Sequence, residues 1–358
     1  MNRPRVIIIQ EVLFRYRVPI FKILEKDIDL TLAYTTKNEI TDPDFNIIHL
    51  PNRRIGRLII HKGIYRILNQ FDVVISQPHL TSVRLCLLQY FPRKFKLITW
   101  TIGKHVSYNT PFDLTIRPSI LDWVFETIQD GADACIFYMK ETIQYWEKYK
   151  KIDSKKYFVA HNTVAISVFD ELPLYDERDS FLFVGTLYAQ KGIDELIKAY
   201  SIAKSKRGDM PPLRIIGDGP EKERLLSQIR IEGLESDVYL CGGIYDEELL
   251  KQFFLKAMLC ISPKQAGLSV LKSFGYGCPF VTSPYAITGG ERENIINGTN
   301  GLLYSSEQEL VDLLVAAANK EKVFAQMSVN ARDYYINNCS PEVMANGIIS
   351  ALNYVLSE

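Results

Sequence analysis

Two lysines eight residues apart, Lys264 and Lys272, flank a glycine turn in the stretch SPKQAGLSVLKSFGYGCPFVT, residues 262–282. The stretch has the layout of a strand end, a tight turn at Ala266-Gly267 and a helix opening on Leu268, Ser269 and Val270. The first amides of a helix have no intrahelical acceptor, so those of Leu268 and Ser269 are free donors. A diphosphate fits such a nest of N–H groups. Lys272 lies four residues after Leu268 on the same helical face, and Lys264 lies before the turn. Both can reach the same pocket; the plain alternative is a pair of solvated surface lysines.

Three further turns have chemistry-bearing residues. In FLFVGTLYAQKGIDELIKAY a buried strand ends at Gly185, a loop follows with Lys191 and Gly192, and a helix starts near Ile193. A lysine there can set its ammonium over a phosphate, to which helix N-termini also contribute. It is otherwise a solvated loop lysine. In LRIIGDGPEKERL a strand runs into Gly217-Asp218-Gly219-Pro220, with glycines that permit close backbone approach and a proline suited to a first helical turn. This is not a GxGxxG on the first strand, which disfavours a nicotinamide dinucleotide site. In TSPYAITGGERENIINGTNGLLY, Gly289-Gly290 and the Gly298 and Gly301 pair make tight turns, and Glu291 follows the double glycine.

The elements that must position these turns alternate. In the first half short apolar runs (VIIIQ, LTLAY, DVVIS, KLITW, ACIFY, YFVAH) are separated by helical patterns, and the second half repeats the scheme with FLFVG, LRIIG, VYLCG, MLCIS, PFVTS and GLLY. Such alternation predicts βαβ units and parallel sheets. The expected fold class is α/β, with two Rossmann-like doubly wound domains facing a central cleft, where ligands sit at the carboxyl ends of the strands. The expected boundaries are an N-terminal domain over 1–166, a charged linker over 167–180 and a C-terminal domain over 181–340. A last helix over 341–358 packs back toward the N-terminal domain.

The chain of 358 residues, 47% hydrophobic and 23% charged, has length for two cores. Its six cysteines form no CxxC pair and its five histidines are dispersed, which argues against a disulfide framework or zinc site and fits a reducing cytosol. No apolar run is long enough to span a bilayer, and the run after the basic N-terminus is too short for a signal peptide. Net charge is zero, yet residues 1–170 have 24 Lys+Arg against 17 Asp+Glu and residues 171–358 have 18 against 25. The basic first half points to an anionic partner. With no nucleic-acid motif present, an anionic membrane surface fits better, and plain surface variation is the alternative.

In this order, VGTL…KG, GDGP, KQAGL…K-S…G-C-P-F, GGERE and NGTNGLL resemble the C-terminal domain of the glycosyltransferase family 4 group, which has the GT-B fold. The likeness runs from Phe181 to about Ala331. The first half resembles the group more thinly, through HNTV (161–164), ITWTIG (98–103) and LFRYRVPIFKIL (13–24), the last like the opening of bacterial cell-surface polysaccharide transferases. The resemblance implies a donor site of Gly185, Thr186, Lys191, Gly217, Gly219, Ile244, Lys264, Gly267, Leu268, Ser269 and Lys272. Lys191 would hold the diphosphate, the amides of Gly267, Leu268 and Ser269 would meet the phosphate, and Ile244 would lie near the base. Three positions depart from the group. Thr186 stands in place of an arginine that pairs with the lysine. Lys264 and Lys272 stand in place of two glutamates, for the donor sugar and the ribose hydroxyls respectively. Lysine only donates, so it cannot take over an acceptor's task unchanged, but it can bind phosphate. Ile102 stands where a catalytic histidine is expected; His105, three residues on, is the candidate in its place, or an ordinary loop histidine.

The implied reaction is retaining transfer of a sugar from a UDP- or GDP-linked donor to an acceptor hydroxyl, with no metal and no further cofactor. The leaving diphosphate itself deprotonates the acceptor, so the protein's task is positioning and charge stabilisation. The acceptor is a glycan or lipid-linked glycan of surface polysaccharide assembly (capsule, O-antigen or lipopolysaccharide). The stretch PNRRIGRLIIHKGIYRIL (51–68) mixes five basic residues with apolar ones, which suits an anionic membrane surface; the plain alternative is an ordinary surface helix or loop. That places the protein in the cytoplasm, peripheral to the inner face of its membrane. The rivals are a GT-B partner subunit without donor chemistry and a sugar-nucleotide epimerase, which would need acid–base carboxylates.

Overall fold

Short β-branched and aliphatic runs, buried on both faces, build two parallel sheets. The structure, a computed structural model, describes residues 3–79, 81–104 and 112–357. Residues 1–165 together with 341–358 form one compact unit, and 166–340 form the other.

The first unit has strands β1 (Arg5–Leu13), β2 (Asp29–Asn38), β3 (Asn46–His49), the hairpin β4 (Asn52–Ile55) and β5 (Leu58–His61), then β6 (Val73–Ser76), β7 (Lys96–Thr101), β8 (Ala134–Phe137) and β9 (Tyr157–Val159). Seven of them make a parallel sheet in the order β3-β2-β1-β6-β7-β8-β9. In β1, Val6 through Ile9 are all buried, the signature of a strand covered on both sides. Val6 and Ile8 face a core completed by Met344, Ile348 and Leu352 of the final helix, Pro341–Ser357. Ile7 and Ile9 face a second core with Leu50 and Leu68. The final helix crosses β9 so closely that a side chain at Gly347 would overlap the Val159 carbonyl.

One segment of this unit differs from expectation. Residues 51–68 make the antiparallel hairpin β4–β5 followed by the short helix Ile64–Leu68, rather than one helix or loop. In β5 the pattern alternates, with Ile59 and His61 buried and Leu58 exposed, while Arg53, Arg54 and Ile55 of β4 all face solvent. Helix Ile120–Asp130 is turned inside out. Its Asp122, Glu126 and Gln129 are buried, whereas Ile120, Leu121, Trp123 and Val124 are exposed. The buried acid is answered: Glu126 takes the Lys150 ammonium at 2.7 Å and the Tyr157 hydroxyl at 3.1 Å.

The second unit has β10 (Ser180–Val184), β11 (Leu213–Ile216), β12 (Val238–Gly242), β13 (Ala257–Ile261), β14 (Gln265–Ala266), β15 (Phe280–Thr282), β16 (Ile287–Thr288) and β17 (Gly301–Leu303). Its main sheet is parallel in the order β12-β11-β10-β13-β15-β17. Phe181, Phe183, Ile215, Leu259 and Ile261 are fully buried there, each worth roughly 1.5–3 kcal/mol relative to exposure. The approach to β10 is irregular apart from the turn Tyr175–Glu177. At its end the buried Arg178 donates to the carbonyls of Phe254, Ala257, Tyr276 and Gly277 at 2.6–3.1 Å and to the Ser328 hydroxyl at 3.3 Å. Among the described residues no helix is long and apolar enough to cross a membrane.

Candidate functional site

The four turns named from the sequence follow β10, β11, β13 and β15, at the carboxyl ends of strands in one parallel sheet. Adjacent strand ends hold them together. The Gly185 amide donates to the Ile216 carbonyl at 3.0 Å, and the Gly217 amide to the Gly242 carbonyl at 2.8 Å. A side chain at Gly217 would overlap the Gly185 carbonyl, and one at Gly219 would come within 2.6–2.8 Å of the Leu187 backbone. Leu187 and Asp218 share a 3.0 Å backbone bond, and the Asp218 carboxylate accepts the Gly243 amide at 3.0 Å. So the close approach that these two glycines allow is between neighbouring turns. Asp218, held also by Lys222, joins the second turn to the loop with the half-buried Ile244. Those bonds hold the Asp218 carboxyl below its usual range, Lys222 first and the Gly243 amide second.

Lys191 closes a short turn, Ala189–Lys191, capped by Gly192 in the left-handed region at φ +69°. Its ammonium lies near Gly185: a Cβ built there would be 3.5 Å from Nζ, an ordinary van der Waals contact. Burial lowers the Lys191 pKa, and no neighbouring charge offsets it. Among the described residues it has no ion-pair partner. A half-buried cation without an acid is costly unless an anion joins it. Thr186, next to Gly185 in sequence, is exposed.

Lys264 and Lys272 turn to different partners. The Lys264 amide donates to the Lys191 carbonyl at 3.2 Å, which ties the first turn to the third. Its ammonium pairs with Glu195 at 2.5 Å on helix Ile193–Arg207, with both side chains about half exposed. Lys264 and Glu195 stand on the wall of a cleft of about 650 Å³, with Ser283, Tyr285, Tyr304 and Glu307 among its other residues. Lys272 is not on that wall. It donates to both carboxylate oxygens of Glu247 at 2.7 Å, in the first turn of helix Glu247–Lys256. Neither acid stood out in the sequence, because an acid in a helix's first turn is ordinary. The pairing is set by the fold, not by spacing.

The third turn itself is open. A side chain at Gly267 would meet nothing within 4 Å, and Leu268 and Ser269 are half-buried at the start of helix Ser269–Gly275. The turn is held from behind by the Ser262 hydroxyl on the Gln265 carbonyl at 2.7 Å and by the pairing of β14 with β16. In the double-glycine loop Glu291 is buried and accepts the Gly289 amide at 3.0 Å. Among the described residues no group of three or more His, Cys, Asp or Glu side chains is placed to hold a metal ion. His105 lies outside the described residues.

Residues 166–334 match the family model for glycosyl transferases group 1. An uncharacterized glycosyltransferase of Methanocaldococcus jannaschii is 26% identical over 251 residues, 66% of this chain and 57% of that protein. A second uncharacterized glycosyltransferase, from Haemophilus influenzae, is 26% identical over 44% of each chain. The chain thus spans about half the length of these relatives. Among solved structures, Anabaena HepE in complex with UDP superposes with a TM-score of 0.70 at 16% identity, over 99% of this chain and 100% of that one. The lipopolysaccharide outer core galactosyltransferase WaaB superposes with a TM-score of 0.69 at 17% identity, over 97% and 99%. These likenesses show the fold, GT-B. The match over 166–334 takes in the glycine turns, Lys191 and the Lys264–Lys272 segment, so this part of the chain is similar to the glycosyl transferases of group 1.

Proposed function

We propose that the protein transfers a sugar from a UDP- or GDP-linked donor to a hydroxyl of a glycan or lipid-linked glycan in surface polysaccharide assembly, with retention and without metal. The observation that supports it most is Lys191: a half-buried ammonium without an acid, at a strand end beside Gly185 and tied through its carbonyl to the turn before Gly267. A diphosphate supplies the missing charge, and the open Gly267-Leu268-Ser269 turn supplies amide donors. Lys264 and Lys272 stay paired with Glu195 and Glu247, so the diphosphate is met chiefly by Lys191 and the amides. HepE, a neighbour in fold, was crystallised with UDP, which agrees with a nucleotide donor. Catalysis then consists of holding the leaving diphosphate in a field of cations and amides while it takes the acceptor proton.

The basic first unit is the proposed acceptor and membrane side, working from the cytoplasm. The hairpin β4–β5 has Arg53, Arg54 and Arg57 around the exposed Ile55 and Leu58, and helix Ile120–Asp130 exposes Ile120, Leu121, Trp123 and Val124. Cations beside exposed apolar side chains suit an anionic lipid surface.

The deciding experiment is calorimetric binding of UDP and GDP, without metal, to the parent chain and to Lys191→Ala. One nucleotide should bind, and the substitution should weaken it. A second reading is favoured by the two ion pairs: a partner subunit whose lysines are structural and whose donor site is silent. Absence of binding by either nucleotide would overturn the transferase reading in favour of that one.

A further inference from the structure

The first unit has a second cleft, of about 430 Å³, with Gln77, Trp100 and Tyr138 in its wall. These three side chains and Gln10 stand at the carboxyl ends of four neighbouring strands, on the face that also carries Val6 and Ile8. Behind the wall lies Arg17, 5% exposed. Its guanidinium sits 4.6 Å from the Trp100 ring, with the rings of Tyr16 and Tyr138 at 5.3 and 5.8 Å. No carboxylate pairs with it among the described residues. Nη2 donates to the Tyr138 oxygen at 2.9 Å, but Nε and Nη1 have no acceptor. The indole N–H of Trp100 and both amide atoms of Gln10, all buried, also have no partner.

Three rings around a guanidinium are worth about 0.5–2 kcal/mol, which does not replace hydrogen bonds for buried N–H groups at roughly 1–3 kcal/mol each. Tyr138 and Tyr16 hold the guanidinium charged despite its burial, yet Nε and Nη1 are left without an acceptor. The Tyr138 oxygen accepts from Arg17 and also from the Gln77 amide at 3.0 Å. Two donors occupy its oxygen, so its own hydrogen is available to an acceptor in the cleft, and the cation behind strengthens that donor. Lys104 adds a second buried cation to the wall. It already donates to the Asp113 and Ile116 carbonyls and sits 4.9 Å from the Tyr145 ring, so it contributes field more than a contact. Glu11, exposed at the rim, opposes it, and the His79 ring there is engaged with Thr81. Donors and positive charge outnumber acceptors.

We infer that this cleft binds an anionic saccharide group, a sugar phosphate or a uronate, through Tyr138 and Gln77, with Arg17 supplying charge from behind. As an acceptor subsite it rests on the transferase reading; as a binding site it stands alone. It would make the acceptor a charged glycan.

The test uses the full chain carrying Lys191→Ala, so that the donor site does not answer for it, titrated with glucose 1-phosphate, glucuronate and glucose. At least one anionic probe should bind, about tenfold or more tightly than glucose and less tightly as salt rises. Tyr138→Phe should cost about tenfold or more, with Gln77→Leu as a second variant should the first disturb folding. Binding of the phosphate alone, the uronate alone or both identifies the anion and supports the inference. Equal binding of glucose, no binding of any probe, or unchanged affinity in both variants overturns it. UDP binding to the parent chain reports separately on the proposed donor site, so either idea can fail without the other.

Discussion

Lys272 holds both carboxylate oxygens of Glu247 at 2.7 Å. Lys264 pairs with one oxygen of Glu195 at 2.5 Å at the other departure from the family pattern. Where the resemblance leads one to expect an acid, this chain has a lysine, and an acid from a neighbouring helix meets it. Each place is close to neutral, so the site has not gained two free cations. Lys191 is the one among the three lysines that has no acid beside it.

This difference orders the effects of substitution. Lys191→Ala should weaken UDP or GDP binding about 10–100-fold, the loss of a charge-assisted bond worth about 1.5–3 kcal/mol. Lys264→Ala and Lys272→Ala should each cost less than about 1 kcal/mol, since each leaves an exposed acid free to turn to water. Calorimetric titration checks the order. A larger loss in Lys272→Ala than in Lys191→Ala would show that the ion pair opens to bind the diphosphate.

Lys191 also sets a pH dependence. Burial lowers its pKa from the ordinary 10.5. Between the lowered value and 10.5 the unfolded chain holds the proton that the folded chain has lost, so stability rises with pH across that alkaline window. Below the window the desolvation penalty is present in full. Lys191→Met should therefore raise Tm at neutral pH while abolishing nucleotide binding. A lower Tm in this variant would contradict the arrangement. Nucleotide binding should restore the pKa and take up protons within the window, read from calorimetry in buffers of different ionisation heat.

The glycines separate by role. Gly217→Ala would drive a Cβ into the Gly185 carbonyl and should destabilise the second unit by about 2–4 kcal/mol, seen as a lower Tm. Gly267→Ala has open space around it and should leave Tm within about 0.5–1 kcal/mol of the parent while reducing nucleotide affinity. If both variants melt early, Gly267 serves the fold instead.

Arg178 is a structural cation. Arg178→Met removes five buried hydrogen bonds, to four carbonyls and a hydroxyl, of which the Phe254 and Gly277 carbonyls keep a second donor. Chemical denaturation should show a loss of about 3–5 kcal/mol from the second unit, with the first unit's transition unmoved.

Membrane binding should depend on the hairpin. Association with vesicles of anionic lipid should weaken as salt rises and fall by about 1 kcal/mol for each of Arg53, Arg54 and Arg57 replaced by Ala. Ile55→Asp and Leu58→Asp should reduce it further, and Trp123→Asp should do the same from helix Ile120–Asp130. Co-sedimentation that is indifferent to salt and to all of these variants would remove the membrane reading.

The sequence by itself determined the sheets and the turns. Runs such as VIIIQ and FLFVG are too apolar for anything but strands buried on both faces, and the helical patterns between them force parallel crossovers. Glycines at the strand ends marked where the chain must turn sharply, and Lys191 among them was legible as a cation at a strand end. Tertiary structure decided the rest, because contacts across the sheet join residues that spacing does not relate. Only the adjacency of strand ends shows that Gly217 and Gly219 make room for Gly185 and Leu187. The acids that answer Lys264 and Lys272 come from helices far off in sequence. An amphipathic pattern such as ILDWVFETIQD also leaves open which face is inward. Lys150 and Tyr157, distant in the chain, draw Glu126 inside and leave the apolar face outside.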